Sequence, residues 1–154
     1  MTIINLIEIK PNDVPSKDYM RYHQFRKLVV ELQKRELPSA IVEFVNDNIQ
    51  LVNHAIDKKF ELRKQIAASQ KAIIKLLEKE LKLVPKGYYR NLWMVLGMTV
   101  FGVPLGIVWG QVTDNMGTLG IGIAVGMAIG LALGSAQDNK AAREGRQLDV
   151  DYKP

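Results

Sequence analysis

The chain has 154 residues, a formal net charge of +5 and 24% charged residues, which admits one ordinary domain or a small soluble module joined to a minimal membrane unit. It contains no cysteine, which excludes a disulfide framework, a cysteine-built zinc site and a lipidated cysteine. The averages conceal a division: from Leu92 to Ala136 the only charged residue is Asp114, and ten of the twelve glycines fall in the same stretch. Such segregation suits two solvents, with a domain border near Pro85 to Arg90.

In chain order, the opening Met1-Thr2-Ile3-Ile4-Asn5 lacks a basic segment followed by an apolar run and a small-residue cleavage site, so no signal peptide is expected and the residues before Pro85 should stay in the cytoplasm. Residues 3–9 are rich in β-branched side chains and end at Lys10-Pro11, which predicts one short strand. With no partner strand in the chain, it either pairs across an oligomer, packs as an extended arm, or is helical. Ser16 reads as an N-cap with Asp18 in the first turn, and Tyr22, Phe25, Val29 and Leu32 then recur on one helical face that ends by Leu37, before Pro38. From Ser39 to Val84 there are 46 residues with neither glycine nor proline, which predicts one very long helix of about 69 Å at about 1.5 Å per residue. Ile41, Val45, Ile49, Val52, Ile56 and Phe60 form one stripe, and Ile66, Ile73, Leu77, Leu81 and Val84 continue it on a shifted face, with a break near Phe60 to Lys64 as the alternative. Strict heptads are not sustained, which favours packing against the first helix over an intermolecular coiled coil.

Leu92–Val112 and Gly117–Ala136 each match the roughly 20 residues that cross a hydrocarbon core of about 30 Å. In lipid a helix is the one conformation that pairs a single segment's own backbone, so even glycine-rich sequence is helical there. Only Thr113, Asp114, Asn115 and Met116 separate the two spans, a composition that turns the chain into an antiparallel hairpin. Trp93 and Trp109 sit near opposite ends of the first span, with Tyr88 and Tyr89 just before it, as interfacial anchors do. Lys75, Lys79, Lys82, Lys86 and Arg90 precede the first span and Lys140, Arg143 and Arg146 follow the second, while the hairpin loop has no Lys or Arg. The positive-inside rule therefore places both flanks in the cytoplasm.

Gly122, Gly126, Gly130 and Gly134 recur every fourth residue, and Gly102, Gly106 and Gly110 repeat the same period in the first span. Small residues at this interval make a flat groove that admits a neighbouring backbone. The grooves either pack against each other within one hairpin or face another protomer, and two glycine-lined spans offer more small-residue surface than one contact needs, so oligomerisation is expected. Pro104 in mid-span should kink the first helix or leave a carbonyl unpaired. Residues 88–148, with the run Gly120-Ile-Gly-Ile-Ala-Val-Gly-Met-Ala-Ile-Gly-Leu-Ala-Leu-Gly-Ser followed by a charged tail, resemble the glycine-zipper hairpin proteins found widely among bacteria. The resemblance implies assembly in a membrane.

His23 and His54 have no Cys, Asp or Glu around them at metal-ligand spacing, and read as polar surface residues. Asn46, Asn48, Gln50, Asn53 and His54 form a polar patch, read as a solvated helix face or a partner site. No phosphate-binding loop, nucleophile motif or carboxylate pair appears, so neither an enzyme nor a cofactor nor a metal is expected. Residues 58–90 carry ten Lys or Arg against three Glu, and Lys75, Lys79, Lys82, Lys86 and Arg90 are expected to meet anionic lipid headgroups, worth about 1 kcal/mol each near the surface. Nucleic-acid binding is not expected, since this charge lacks an aromatic stacking surface.

The sequence thus predicts an all-α membrane protein: a mainly helical cytosolic module over residues 1–87, a glycine-zipper transmembrane hairpin over 88–136, and a charged cytosolic tail over 137–154. The expected function is that of a bacterial inner-membrane protein with both termini cytoplasmic. It self-associates through its glycine faces, contacts lipids and an unidentified protein partner, and serves a structural or interaction role. The alternative is an oligomeric channel or pore-forming effector gated by the cytosolic helices.

Overall fold

Two prolines set where the first helices begin. In the computed structural model, which describes residues 2–11, 14–56 and 59–151, α1 spans Ser16–Gln33 and α2 spans Ser39–Ala55. Pro15 and Pro38 occupy the N-cap positions, with ψ of 143° and 145° that keep them outside the helix. Their carbonyls accept from Asp18 N and Tyr19 N, and from Ile41 N and Val42 N, at 2.9–3.1 Å. Ser16 is therefore the first helical residue rather than the predicted N-cap, and its side chain makes no cap bond. The predicted apolar face of α1 is present: Tyr22, Phe25, Val29 and Leu32 are buried, joined by Leu28.

The single long helix predicted from Ser39 to Val84 is instead two, α2 and α3 (Lys59–Leu81). The break precedes the interval Phe60 to Lys64, and residues 57–58 lie outside the described residues. No glycine or proline imposes it. The cause is burial. Ile41, Val45, Ile49 and Val52 on α2 and Leu62, Ile66, Ile73 and Leu77 on α3 are each 5% exposed or less; a straight rod would leave much of both stripes in water. Folding back sets α2 on α3, and α1 packs on α3 as well. Burying each such side chain contributes about 1.5–3 kcal/mol, which outweighs the few helical hydrogen bonds lost at the bend, each worth about 1 kcal/mol net. Lys82 closes α3 in the left-handed region, φ 55°, its N bonded to Glu78 O at 3.1 Å, the five-to-one bond of a left-handed helix cap, while Leu83 N reaches Leu77 O at 3.2 Å.

The predicted strand at residues 3–9 is not a strand. It is an extended arm whose backbone is paired by side chains of α1 and α2. Ile4 N donates to Asn46 Oδ1 at 2.9 Å and Ile7 N to Asn53 Oδ1 at 3.0 Å, while Asn46 Nδ2 donates to the Thr2 carbonyl at 3.1 Å. From α1, Gln33 Nε2 reaches Asn5 Oδ1 at 3.0 Å, the Tyr22 hydroxyl donates to the Ile7 carbonyl, and Arg26 pairs with Glu8 at 3.2 Å. The spacings match: seven helical residues from Asn46 to Asn53 rise about 10.5 Å, and three extended residues from Ile4 to Ile7 cover about 10 Å. Ile3, Ile4 and Leu6 are half-buried and Ile9 is buried, a pattern that differs from the alternation of a strand.

Two short strands, β1 (Val84–Lys86) and β2 (Gln147–Asp151), form a two-stranded sheet with Val84, Leu148 and Val150 buried. The chain divides into two units, one comprising Met1–Val84 with Leu148–Asp151 and the other centred on Pro85–Gln147. The second unit is a helical hairpin. Its first arm comprises α4 (Tyr88–Leu96), a π-helical turn at Gly97–Gly102 and α5 (Val103–Val112). After a 3₁₀ turn at Met116–Thr118 comes α6 (Leu119–Arg143). The region predicted as a charged tail is thus ordered through Asp151, first as the last turns of α6 and then as β2.

Candidate functional site

The contact between the two arms of the hairpin is made of glycine against backbone. A Cβ added at Gly122 would lie 2.3 Å from Gly106 N, one at Gly126 2.4 Å from Gly97 O, one at Gly130 2.1 Å from Trp93 O, and one at Gly134 2.5 Å from Arg90 Cα. From the other side, a Cβ at Gly102 would lie 2.8 Å from Ile123 Cα and one at Gly106 2.8 Å from Leu119 O. Gly110 is buried in the same arm. No side chain larger than hydrogen fits at these positions, so backbone approaches backbone and dispersion contacts accumulate along the whole seam. Of the two uses the sequence left open for these glycines, packing within one hairpin accounts for their contacts in this chain.

The first arm has an irregular glycine spacing, and the π turn explains it. Gly102, Gly106 and Gly110 are four apart, whereas Gly97 precedes Gly102 by five. One π turn, in which Val103 N bonds to Met98 O, inserts a single residue into the helix and brings Gly97 onto the seam, where Gly126 and Gly130 lie against it. The same turn accommodates Pro104. The ring lacks an amide, and it sits at the start of α5 immediately after the widened turn. The π segment thus directly precedes the position at which a kink is expected from sequence. Thr99 Oγ1 donates to Val95 O and Leu96 O at 3.0 and 3.3 Å beside it.

The end of the hairpin where α4 begins is closed by Asp138. Its two carboxylate oxygens accept from Tyr89 N at 3.1 Å and Arg90 N at 3.0 Å, and the residue is 8% exposed. These are amides of the first turn of α4, whose own N-cap, Gly87 at φ 71°, has no side chain to offer. A carboxylate from the facing helix supplies the cap and opposes the positive end of the helix dipole. Sequence reasoning did not single out Asp138, although the signal was there: it follows Gly134 by four residues and so continues the row that runs through Gly122, Gly126 and Gly130. At the other end Asp114 adopts φ 52° in the tight turn, and Asn115 N bonds to Gly110 O at 3.0 Å.

With glycine inside, the large apolar side chains point outward. Val95, Val100, Val108, Trp109, Val112, Ile121 and Val125 are 45–81% exposed. Both arms, Tyr88–Val112 and Leu119–Arg143, are long and apolar enough to cross a membrane. At 25 residues each they extend about 37 Å, against a hydrocarbon core of about 30 Å. Tyr88, Tyr89 and Trp93 are half-buried, and the two tyrosine rings meet edge to face with centroids 5.3 Å apart. Lys75, Lys79, Lys82, Lys86 and Arg90 are all exposed, the first three on the end of α3 and the other two flanking the start of α4. Beyond α6, Arg146 bonds Glu144 and holds that carboxyl below its ordinary range, while Glu144 raises the Arg146 guanidinium in turn.

Of the polar patch on α2, Asn46 and Asn53 hold the arm, Asn48 Nδ2 donates to its own helix at Phe44 O, 2.9 Å away, and His54 Nδ1 lies 3.0 Å from Gln50 O. Among the described residues no group of His, Cys, Asp and Glu is placed to hold a metal ion. Comparison of the chain with protein-family models, with curated proteins and with solved structures found no match.

Proposed function

We propose that the chain is a multi-pass protein of the bacterial cytoplasmic membrane, in which the hairpin anchors a cytosolic helical module with a structural or interaction role in a membrane complex. The observation that carries this reading is the inverted construction of the hairpin, with glycine and backbone at its centre and large apolar side chains outside. In water, apolar surface costs roughly 25 cal/mol per Å², and a hairpin built this way would expose nearly all of its own. In lipid the same surface is matched to its solvent, and close backbone packing is the available cohesive force. The likeness to glycine-zipper hairpin proteins agrees with this reading.

Lys86 before the first arm and Arg90 in its first turn, and Lys140, Arg143 and Arg146 at and beyond the end of the second, orient both flanks to the cytoplasm, with the exposed basic residues near anionic headgroups. Self-association remains part of the proposal, through a surface other than the glycine seam, because that seam is occupied within the hairpin. A pore draws less support, since the outer faces would line a conduit with apolar side chains. The test uses the absence of native cysteine. Single cysteines replacing Lys86, Asp114 and Lys140 should leave the protein in the membrane after alkaline extraction, and an impermeant thiol reagent should label intact cells only at position 114. Release by alkali would refute the membrane reading, and labelling at 86 or 140 but not 114 would reverse the orientation.

A further inference from the structure

The fold-back that sets α1 and α2 on α3 also decides what α3 shows to solvent. Its inner side carries Leu62, Ile66, Ser69, Ile73 and Leu77, each 1% exposed or less. At about 100° per residue, Lys64, Lys71, Lys75 and Lys79 fall within a sector of about 80° on the opposite side. Lys82 follows at the helix end, and all five lysines are exposed. Lys64 and Lys71 thereby extend the basic segment expected from sequence, which starts at Lys75, by about 16 Å along the helix. Glu78 is half-buried among them and Glu80 meets Lys79 at 3.5 Å in an exposed pair, yet residues 63–82 hold six Lys or Arg against two Glu. The charge is segregated across the module as well. α2 has no Lys or Arg, and its Glu43 and Asp47 are exposed on the side away from its own buried row.

We propose that this lysine row is a second membrane contact, by which the cytosolic module lies with α3 along the anionic headgroups of the leaflet that anchors it and keeps the acidic face of α2 away from them. The inference deepens the Proposed function, on which it rests for the membrane itself, and carries the lipid contact from the residues flanking the span to the length of α3. Reach favours lipid as the occupant. The chain from Lys82 to Tyr88, where the first apolar arm begins, spans at most about 20 Å. Lys82 therefore stays within about two Debye lengths of the surface at about 0.1 M salt, whereas any other polyanion has to be captured from solution. The side chains agree. Lysines are compact, hydrated point charges on flexible stems, suited to a fluid and diffuse layer of negative charge. Between Lys64 and Lys82 the only exposed apolar residues are Ala67 and Ala68, and there is no aromatic side chain on which a nucleic-acid base could stack. Close to an anionic surface each lysine multiplies the ratio of adsorbed to free module by about fivefold.

Full-length protein carrying a single spin label tests this in nanodiscs of phosphatidylcholine alone or mixed with phosphatidylglycerol, both containing a small share of nickel-chelating lipid. Ala68→Cys puts the label within the lysine row, and Gln50→Cys puts it on the exposed side of α2. At about 0.1 M salt, anionic discs should raise nickel-induced relaxation at position 68 at least about threefold over neutral discs, and the gain should vanish at about 1 M, where the Debye length is about 3 Å. Position 50 should not respond. Lys64→Gln combined with Lys71→Gln should lower the salt concentration that abolishes half of the gain by about twofold. Equal relaxation at position 68 in the two kinds of disc, an equal response at position 50, or a half-loss that the double variant leaves unmoved would each overturn the proposal. So would a single-stranded oligonucleotide that shields position 68 where anionic lipid gives no gain, which would assign the face to nucleic acid. Retention of the chain in neutral discs reads the anchoring by the hairpin alone, so loss of the membrane reading and loss of α3 adsorption give different results.

Discussion

Replacing Gly130 by alanine adds one methyl carbon and should open the hairpin. The new Cβ would lie 2.1 Å from the Trp93 carbonyl oxygen, with Trp93 C at 2.8 Å and Met94 Cα at 3.1 Å. Ordinary contact for a Cβ begins near 3.4 Å, so the two backbones must separate locally by about 1 Å. All three obstructing atoms are main chain, and no side-chain rotation relieves the clash. Overpacking of this kind costs about 1–3 kcal/mol, or a factor of about 5 to 150 in the equilibrium between closed and open hairpin. Gly120→Ala is the matched control, because nothing lies within 4 Å of its added Cβ. Spin labels at two cysteines introduced on the outward faces, Val95→Cys and Val125→Cys, report the separation by pulsed electron resonance in nanodiscs. Gly130→Ala should lengthen or broaden the distance distribution while Gly120→Ala leaves it unchanged. Identical distributions for the two variants would refute the claim that this face forms the intramolecular seam.

Removing the carboxylate in Asp138→Ala strips the caps from Tyr89 N and Arg90 N and should destabilise the hairpin by about 1–3 kcal/mol, with Asp138→Asn intermediate because one acceptor remains; denaturation in detergent would show no ranking if the cap contributes nothing. Asn46→Ala combined with Asn53→Ala removes the acceptors for Ile4 N and Ile7 N and should speed amide exchange at those two residues by at least about tenfold, with α3 protection little changed. Burial first, then Glu8 and Tyr19, raise the Tyr22 hydroxyl above its ordinary 10.0, against an opposing effect of Arg26. The neutral hydroxyl is the form that bonds Ile7, so arm retention should be complete below pH 10 and fall as pH rises through the raised value. Tyr22→Phe should be more loosely held at neutral pH and lose that alkaline step in arm proteolysis.

Much of the architecture was legible because it rests on local rules. The two apolar spans, their short turn and the buried face of α1 follow from composition and periodicity, which operate over a few residues. The arm shows where that reasoning stops. Its β-branched residues suggested a strand, but whether an extended segment pairs with another strand or with side-chain amides depends on what lies beside it, and Asn46 and Asn53 stand more than 40 residues away. The fold-back at the end of α2 is similar, since a helix with no breaker bends only when its two halves bury more apolar surface against each other than a straight rod would.

The glycines divide along the same line. By itself the sequence determined that these faces must meet another backbone, because a four-residue row of hydrogens has no other means of cohesion in lipid. Which backbone they meet was decided by tertiary structure alone. A π turn shifts the first arm by one residue to bring Gly97 into line, and Asp138 caps a helix 48 positions earlier; both depend on the three-dimensional register of two helices, for which one-dimensional spacing carries no unique solution.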